Sequence, residues 1–422
     1  MKKISIATTI LIAGFLPAAA IAQTAFTWQQ IKDKFEAANP TLKAAQLNVD
    51  ETRTGEITAY LRPNPSLTGT IDQINPFATI LSPAGQSVYR PLTNALPFGS
   101  LGYLHERQHK RELRLESAKT STGIANSTYL DQNRSLTFAL RNAFVQTLQA
   151  KAVLQNAREN LDYWDRELEV NRTRFRAGDM AQVDLGRLVL QRVQFESDYE
   201  TAIVNLRTAK IQLLTLLNDR TPIEQFDVTG PYDFSEQLMG MEEFRTIALA
   251  ARPDLKAAMQ NIELAKVNHQ LAIADGSTDP TFGMDFARNP PIPVYFGFSV
   301  SIPLRIFDRN QGEKARTQVD ISRNERLRDQ AQAQVFSDVD SAYVTLVSAL
   351  NLLRTYKTTY LALAADNRNR IAFSYQNGGA SLLDYLDAEK SYRDTRLTNL
   401  NLIGSYLIAA AQMNMAVGRE VL

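Results

Sequence analysis

The chain repeats itself. Pro40-Thr41-Leu42-Lys43-Ala44-Ala45 returns 213 residues later as Pro253-Asp254-Leu255-Lys256-Ala257-Ala258. Gly178 followed by Asp184 returns 200 residues later as Gly378 followed by Asp384, each pair opening an apolar helical run. A small deletion therefore separates two copies, residues 23–230 and 231–422. Each copy reads as a long helix, a short pair of strands and two further long helices, and neither closes a core of its own. Such halves bury their seams against each other or against neighbouring subunits.

The first 22 residues are a separate object: Lys2 and Lys3, an apolar stretch from Ile4 to Leu16, and Ala20-Ile21-Ala22 before Gln23. This is the pattern of a cleaved export signal. Without it the chain has 44 basic and 45 acidic residues, a formal charge of −1, which offers no general electrostatic case for nucleic acid. A mean hydropathy of −0.24 and no long apolar run after the N-terminus argue against a helical membrane protein. There is no cysteine, hence neither a disulfide nor an acylated N-terminal cysteine, and metal ligands are restricted to oxygen and three histidines.

Helical periodicity runs from about Trp28 to Tyr60, until Pro63 and Pro65, and again from about Glu112 to Phe175. Stepping 4, 3, 4, 3 from Leu136 gives Leu140, Ala143, Thr147, Ala150, Leu154, Ala157, Leu161, Trp164, Leu168, Asn171 and Phe175. Ten of these 12 positions are apolar, a sustained coiled-coil seam. A helix of ~60 residues reaches roughly 90 Å, beyond any globular diameter. The chain turns at Gly178 and runs helically from about Ala181 to Leu217. The second copy follows suit, with helices from Met241 to Ala274 and from Leu382 to about Ala416. Between them lies a seam at Val339, Ala342, Leu346, Ala349, Leu353, Tyr356, Tyr360 and Leu363.

Strands alternate at about 66–72 and 98–104, around a proline-rich loop, and at 281–286 and 294–302. Phe282, Met284 and Phe286 share one face of the third, while Thr281, Gly283 and Asp285 share the other. Four strands in two hairpins (about 66–104 and 281–302) are too few for a sandwich and cannot close a barrel alone. Three chains pooling four each make twelve, which can close in a membrane, with Tyr89, Phe98, Tyr103, Tyr295 and Phe307 suited to interfacial girdles.

These two helix starts, the hairpins, and the turns Phe175-Arg176-Ala177-Gly178-Asp179-Met180-Ala181-Gln182-Val183-Asp184-Leu185 and Tyr375-Gln376-Asn377-Gly378-Gly379-Ala380-Ser381-Leu382-Leu383-Asp384-Tyr385 resemble the TolC family of outer-membrane efflux proteins. The stretch from Ile302 to Glu313 is particularly similar to the cobalt–zinc–cadmium branch. The resemblance implies a mainly α fold with a small β part. Duplicated coiled-coil hairpins and four transmembrane strands per chain would build a homotrimeric 12-stranded outer-membrane barrel continued by a periplasmic helical tunnel. It implies no cofactor. Its partners would be a periplasmic adaptor, an inner-membrane RND-type pump and outer-membrane lipid. Many members carry a lipidated cysteine; here the barrel is left as anchor.

By the same resemblance Asp384 and Asp387, three apart on one helix face, would ring the periplasmic aperture as six carboxylates in a trimer. The competing structural reading is first-turn capping. Arg187 stands where the first copy matches Asp387, so the rim is not acid-only. Asp184 and Tyr375 match a hydrogen-bond lock between hairpins, and Ala380 stands where other members have a reinforcing arginine, which predicts a leakier resting state. Gly178 and Gly378 need positive φ at the turns and would present the hairpin tips to an adaptor.

His105-Glu106-Arg107-Gln108-His109 fits the H-E-x-x-H zinc signature, which requires a helix to bring both imidazoles to one face. Its strongly basic flanks suit lipid head groups or solvent where barrel meets tunnel better than a catalytic cleft. His269 has no nearby partner in sequence and reads as structural. The leading reading is a passive exit duct, not an enzyme. The alternatives are a periplasmic coiled-coil adaptor or structural protein and a secreted zinc hydrolase.

Overall fold

The computed structural model describes residues 24–289 and 292–422. The expected export signal lies outside the described residues, as do Pro290 and Pro291. The first copy runs β1 (Thr24–Phe26), α1 (Trp28–Ala38), α2 (Pro40–Ala59), β2 (Ser66–Asp72), β3 (Thr79–Leu81), β4 (Ser87–Tyr89), β5 (Leu96–Leu104), α3 (Lys110–Ala177) and α4 (Gln182–Leu216). Then come β6 (Phe226–Val228), α5 (Met241–Ala251), α6 (Pro253–Asp275), β7 (Thr281–Asn289), β8 (Ile292–Ser301) and α7 (Gln311–Thr355). A π turn (Tyr356–Tyr360), α8 (Leu361–Gln376) and α9 (Leu382–Val417) complete the chain.

The first helix of each copy is two helices. Asn39 and Arg252 adopt extended backbone (ψ 120° and 121°) because each precedes a proline, whose ring disfavours the helical region there. The next helix then starts on the proline itself, whose missing N–H costs nothing at that position. The proline-rich loop holds an additional short hairpin, β3 with β4.

The chain forms two compact units, each drawing on both copies. The first comprises residues 24–39, 140–234 and 353–404. In it, β1 pairs parallel with β6, and Phe26 stacks on Phe226 at 5.7 Å. Thr27 and Gln30 cap α1 reciprocally, and Ile31 and Phe35 are buried. Lys210, itself buried, donates to the Phe226 carbonyl at 2.6 Å, while Lys151 pairs with Asp227 at 2.5 Å. A buried lysine needs such partners, because an uncompensated ammonium loses its hydration for nothing.

The predicted α3 seam holds at Leu140, Ala143, Thr147, Ala157, Trp164, Leu168 and Asn171, all buried, and fails at Phe175, which is exposed near the turn. The other seam holds through Leu353 and then shifts. Tyr360 and Leu363 are exposed, and the inward positions become Leu361, Ala364, Arg368, Ile371 and Tyr375. The π turn supplies the one extra residue that moves the stripe on.

The second unit comprises residues 40–139, 235–352 and 405–422. Its helical core includes Leu42, Phe244, Leu255, Val339, Leu346, Met413 and Val417. Arg252 is buried within it and bonds Asp254 (2.5 Å), Asp338 (2.7 Å) and the Ala416 carbonyl (3.2 Å). The helix-end motif thus supplies a cation that ties α6, α7 and α9 together. Contrary to the sequence expectation, one helix among the described residues, α9, is by length and composition apolar enough to span a membrane. Tyr406, Ala409, Met413, Ala416 and Val417 on it are buried, so packing already uses much of that apolar surface.

Besides the β3–β4 pair, the same unit carries a four-stranded sheet in the order β2-β5-β7-β8, antiparallel throughout. β5 pairs with β7 and so fuses the two expected hairpins, leaving β2 and β8 as edges within the described residues.

Candidate functional site

Register fixes which side chains share a face of the sheet. Leu67, Leu101, Met284 and Phe298 lie opposite one another across all four strands, and Gly69, Gly99, Phe286 and Phe296 form the neighbouring row. The face they define also carries Ile71, Tyr103, Phe282 and Val300. The opposite face carries Thr68, Ser100, Asp285 and Gly297 in one row, with Gly283 and Ser299 in the next. The apolar face is uncovered: Leu67 is 78% exposed, Phe296 73% and Phe298 85%. The Phe286 ring lies directly over Gly99, whose missing side chain leaves room for it. Phe98 and Tyr295 align with Ala287 and therefore sit on the polar face, which removes them from the expected lipid-facing girdle. A water-soluble sheet turns its apolar face inward; this one leaves it exposed.

In the first unit, the two helical hairpins turn at Gly178 (φ +88°) and Gly378 (φ +77°). Both ends close alike. Gly178 N–H donates to the Phe175 carbonyl and Asp179 N–H to that of Arg174, at 3.0 and 2.9 Å. Gly378 and Gly379 do the same to Tyr375 and Ser374, at 3.1 and 2.8 Å. Nothing lies within 4 Å of where a Cβ would stand on Gly178 or Gly378, so backbone conformation alone demands glycine there.

Beneath the turns, Trp164, Leu168, Leu188, Phe195, Leu382 and Tyr385 form a core, with the Trp164 indole N–H donating to the Leu188 carbonyl at 3.1 Å. Polar groups border it. The Tyr163 and Tyr385 hydroxyls meet at 3.0 Å, Tyr163 donates to Glu389 at 3.1 Å, and Arg368 Nε donates to Glu389 at 2.8 Å while stacking over Tyr163. Burial pushes the Tyr163 phenol up to about 12 and raises Tyr385 further, and it lifts the Glu167 carboxyl above its ordinary range. Sequence reasoning missed this cluster. Glu389 one helical turn beyond buried Tyr385, a carboxylate at a seam position, was the available signal.

The expected site residues fall around these tips. Asp384 Oδ2 accepts from the Ser381 N–H (3.0 Å) and hydroxyl (2.7 Å), and the Ser381 oxygen accepts from the Asp384 N–H (3.2 Å). This reciprocal cap holds the Asp384 carboxyl below the usual carboxylate range. Asp387 is exposed on the next turn. Asp184 lies 3.8 Å from Arg187. Tyr375 donates to Asn171 at 3.4 Å, stacks on Tyr385 at 5.0 Å and lies under the Arg174 guanidinium. Burial raises its phenol, and the Asp184 charge adds to the shift, so the two groups of the expected lock stand within electrostatic reach. Among the described residues their direct hydrogen bond is not made. Arg174 supplies a guanidinium beside Tyr375 where Ala380 supplies none.

Above the tip core, α4 presents Gln194, Asp198, Thr201, Asn205, Thr208 and Gln212 at steps of 4, 3, 4, 3, 4. They line a groove of about 680 Å³ with α3 and α9, floored by alanines and by buried Asn156, whose Oδ1 has no partner. The six α4 positions thus form a polar stripe along an otherwise mixed groove.

The histidine motif is no zinc site. Residues 105–109 are not helical, and Gln108 and His109 have φ of +58° and +57°. Glu106 is held by Arg114 through two bonds of 2.6 and 2.7 Å, so it is not poised as a base. Among the described residues no group of three or more histidines and carboxylates could hold a metal. His269 has a partner after all, Thr317 Oγ1 at 2.9 Å.

Residues 245–419 match the family "Outer membrane efflux protein". Over 397 residues the chain is 24% identical to the cobalt-zinc-cadmium resistance protein CzcC of Cupriavidus metallidurans, covering 90% of this chain and 87% of that one. It is 22% identical to the outer membrane protein TolC of Escherichia coli, covering 71% and 64%. Among solved structures it is similar to CusC (TM-score 0.75, 18% identity, 93% and 92% covered) and to VceC of Vibrio cholerae (TM-score 0.73, 13% identity, 94% and 97% covered). Fold, exposed apolar sheet and relatives together define an outer-membrane efflux channel. Over residues 245–419 the chain carries the pattern of the outer membrane efflux protein family, and CzcC and TolC are among the proteins it is similar to.

Proposed function

We propose that this chain is the passive exit duct of a tripartite efflux system, fed by an inner-membrane RND-type pump through a periplasmic adaptor. Three copies join β8 of one to β2 of the next, closing a 12-stranded barrel in the outer membrane, and their helical hairpins wall a periplasmic tunnel. The carrying observation is the sheet: its apolar face is uncovered and, among the described residues, both its edges are open. In lipid, an apolar face is matched by acyl chains, but an open edge leaves backbone groups unpaired, so only a closed cylinder is stable. The heptad of polar side chains on α4 supports a hydrated wall.

Heavy-metal cations are the proposed cargo, supported by the similarity to the cobalt-zinc-cadmium resistance protein. Asp384 and Asp387 are proposed as the acidic aperture, Asp184 and Tyr375 as a lock made between hairpins, and the Gly178 and Gly378 turns as adaptor contacts. The adaptor reading of this chain itself has no use for an outward apolar sheet.

Because the chain has no cysteine, introduced ones report cleanly. A Leu67→Cys, Phe298→Cys variant in outer membranes, treated with a bifunctional maleimide, is expected to run as a covalent trimer. Phe298→Cys alone should react with lipid-soluble maleimide and resist charged reagents. Monomer only, or labelling from water, defeats the proposal.

A further inference from the structure

The segment 105–109 remains without a role in the duct, and it borders a cavity of about 450 Å³ lined by Arg62, Tyr103, His105, Arg107, His109 and Arg111, among others. Two consecutive residues in the left-handed region, Gln108 and His109, turn the chain sharply between the end of β5 and the start of α3. Neither is glycine, so the turn is held against a steric cost.

The charges around the cavity are unevenly matched. Glu106 is taken by Arg114, Lys110 by Asp279 at 2.6 Å, and Glu112 by Arg111, which also stacks over Tyr60. The Arg107 backbone N–H donates to Asp279 at 2.9 Å and His109 lies 3.9 Å from Glu112, but the exposed guanidiniums of Arg62 and Arg107 have no carboxylate partner among the described residues. The cavity therefore presents net positive charge.

Its position is as informative as its charge. Tyr103 lines the cavity and belongs to the apolar face; the His105 ring meets the edge of Phe282, also on that face, at 6.4 Å. The last apolar row, Tyr103 with Phe282 and Val300, lies at the strand ends where the cavity opens. A ligand held here has its anionic end against Arg62 and Arg107 and an apolar body along Tyr103, Phe282 and Met284. Guanidinium pairs suit a phosphate geometrically, and the adjoining aromatic surface suits an acyl chain.

We infer that this cavity is a binding site for the phosphate of an anionic glycerophospholipid in the periplasm-facing leaflet. The inference rests on the membrane reading of the sheet, which sets the apolar face in acyl chains. Free inorganic phosphate shares the head-group chemistry but gains nothing from the aromatic face.

The test is native mass spectrometry of the purified detergent-solubilised protein after incubation with phosphatidylglycerol or phosphatidylcholine, with and without millimolar inorganic phosphate. Phosphatidylglycerol is expected to be retained at least tenfold better than phosphatidylcholine and to resist phosphate. Arg62→Gln with Arg107→Gln should abolish that preference, while Arg323→Gln with Arg326→Gln, an equal charge change on the exposed surface of α7, should leave it intact. Equal retention of the two lipids, displacement by inorganic phosphate, or an unchanged double variant overturns the site. A protein that conducts in bilayers yet shows no lipid preference loses only this site; one that neither inserts nor conducts loses the membrane reading as well.

Discussion

Tyr163, Tyr385, Glu167, Glu389 and Arg368 place two carboxylates and one guanidinium beside an aromatic core. Arg368 bonds Glu389, so Glu167 carries the cost of burial, eased in part by the Tyr385 hydroxyl and worsened by the Glu389 charge. A carboxyl whose folded pKa is raised costs stability when ionised. That cost is absent below the unfolded pKa, grows as pH rises through the interval up to the folded one, and is complete above it. Glu167→Gln is therefore expected to raise the melting temperature at neutral pH. The gain should shrink as pH falls into the ordinary carboxyl range. A gain independent of pH, or a loss at neutral pH, in thermal unfolding scans would show that the charge of Glu167 is not the cause.

At the scale of elements, the π turn sets what the second hairpin can contact. Its extra residue rotates everything beyond Tyr360 by about 100° relative to an unbroken helix. That rotation brings Arg368, Ile371 and Tyr375 inward and leaves Leu363 outside. Deleting Thr358 should convert the turn to α-helix, return the seam to Tyr360 and Leu363, and remove Arg368 from Glu389. Hydrogen exchange near Gly378 is expected to accelerate at least tenfold, with exchange in β7 and β8 unchanged. Unaltered protection at the tip would mean that α8 tolerates either register. Much of this level was legible beforehand. Gly178 and Gly378 announced the turns, and strand alternation located β2 within its observed bounds. Pro40 and Pro253 marked the repeat but not the breaks before them, because apolar periodicity continues across both prolines. The π turn was not visible: Tyr356-Lys357-Thr358-Thr359-Tyr360 carries no local signature, and only packing on both sides forces the extra residue.

For the whole molecule, the proposed aperture separates two properties that Asp384 combines. Its carboxylate caps α9 through Ser381, and its charge would face the trimer axis beside Asp387. Asp384→Asn with Asp387→Asn keeps an oxygen for the cap while removing six charges from a trimer. In planar bilayers this variant is expected to lose most of its cation selectivity and its block by multivalent cations. Ser381→Ala removes the cap and spares the charge, so it should leave selectivity intact while loosening the helix start. Unchanged selectivity in the first variant would take both aspartates out of the gate.

Local chemistry in the sequence was enough to determine the duplicated order of elements, the helical hairpins with glycine at their turns, and the two-faced strands. Each of those is decided by neighbours a few residues apart, through φ preferences and periodicity. Only tertiary structure decided that β5 pairs with β7, that the apolar face stays uncovered, and that Phe98 and Tyr295 turn away from it. The same holds for Glu106, committed to Arg114 instead of a metal, and for Arg252, sunk among three helices. These outcomes depend on partners tens to hundreds of residues away, and a linear pattern does not state which of its possible partners the packed chain will bring near.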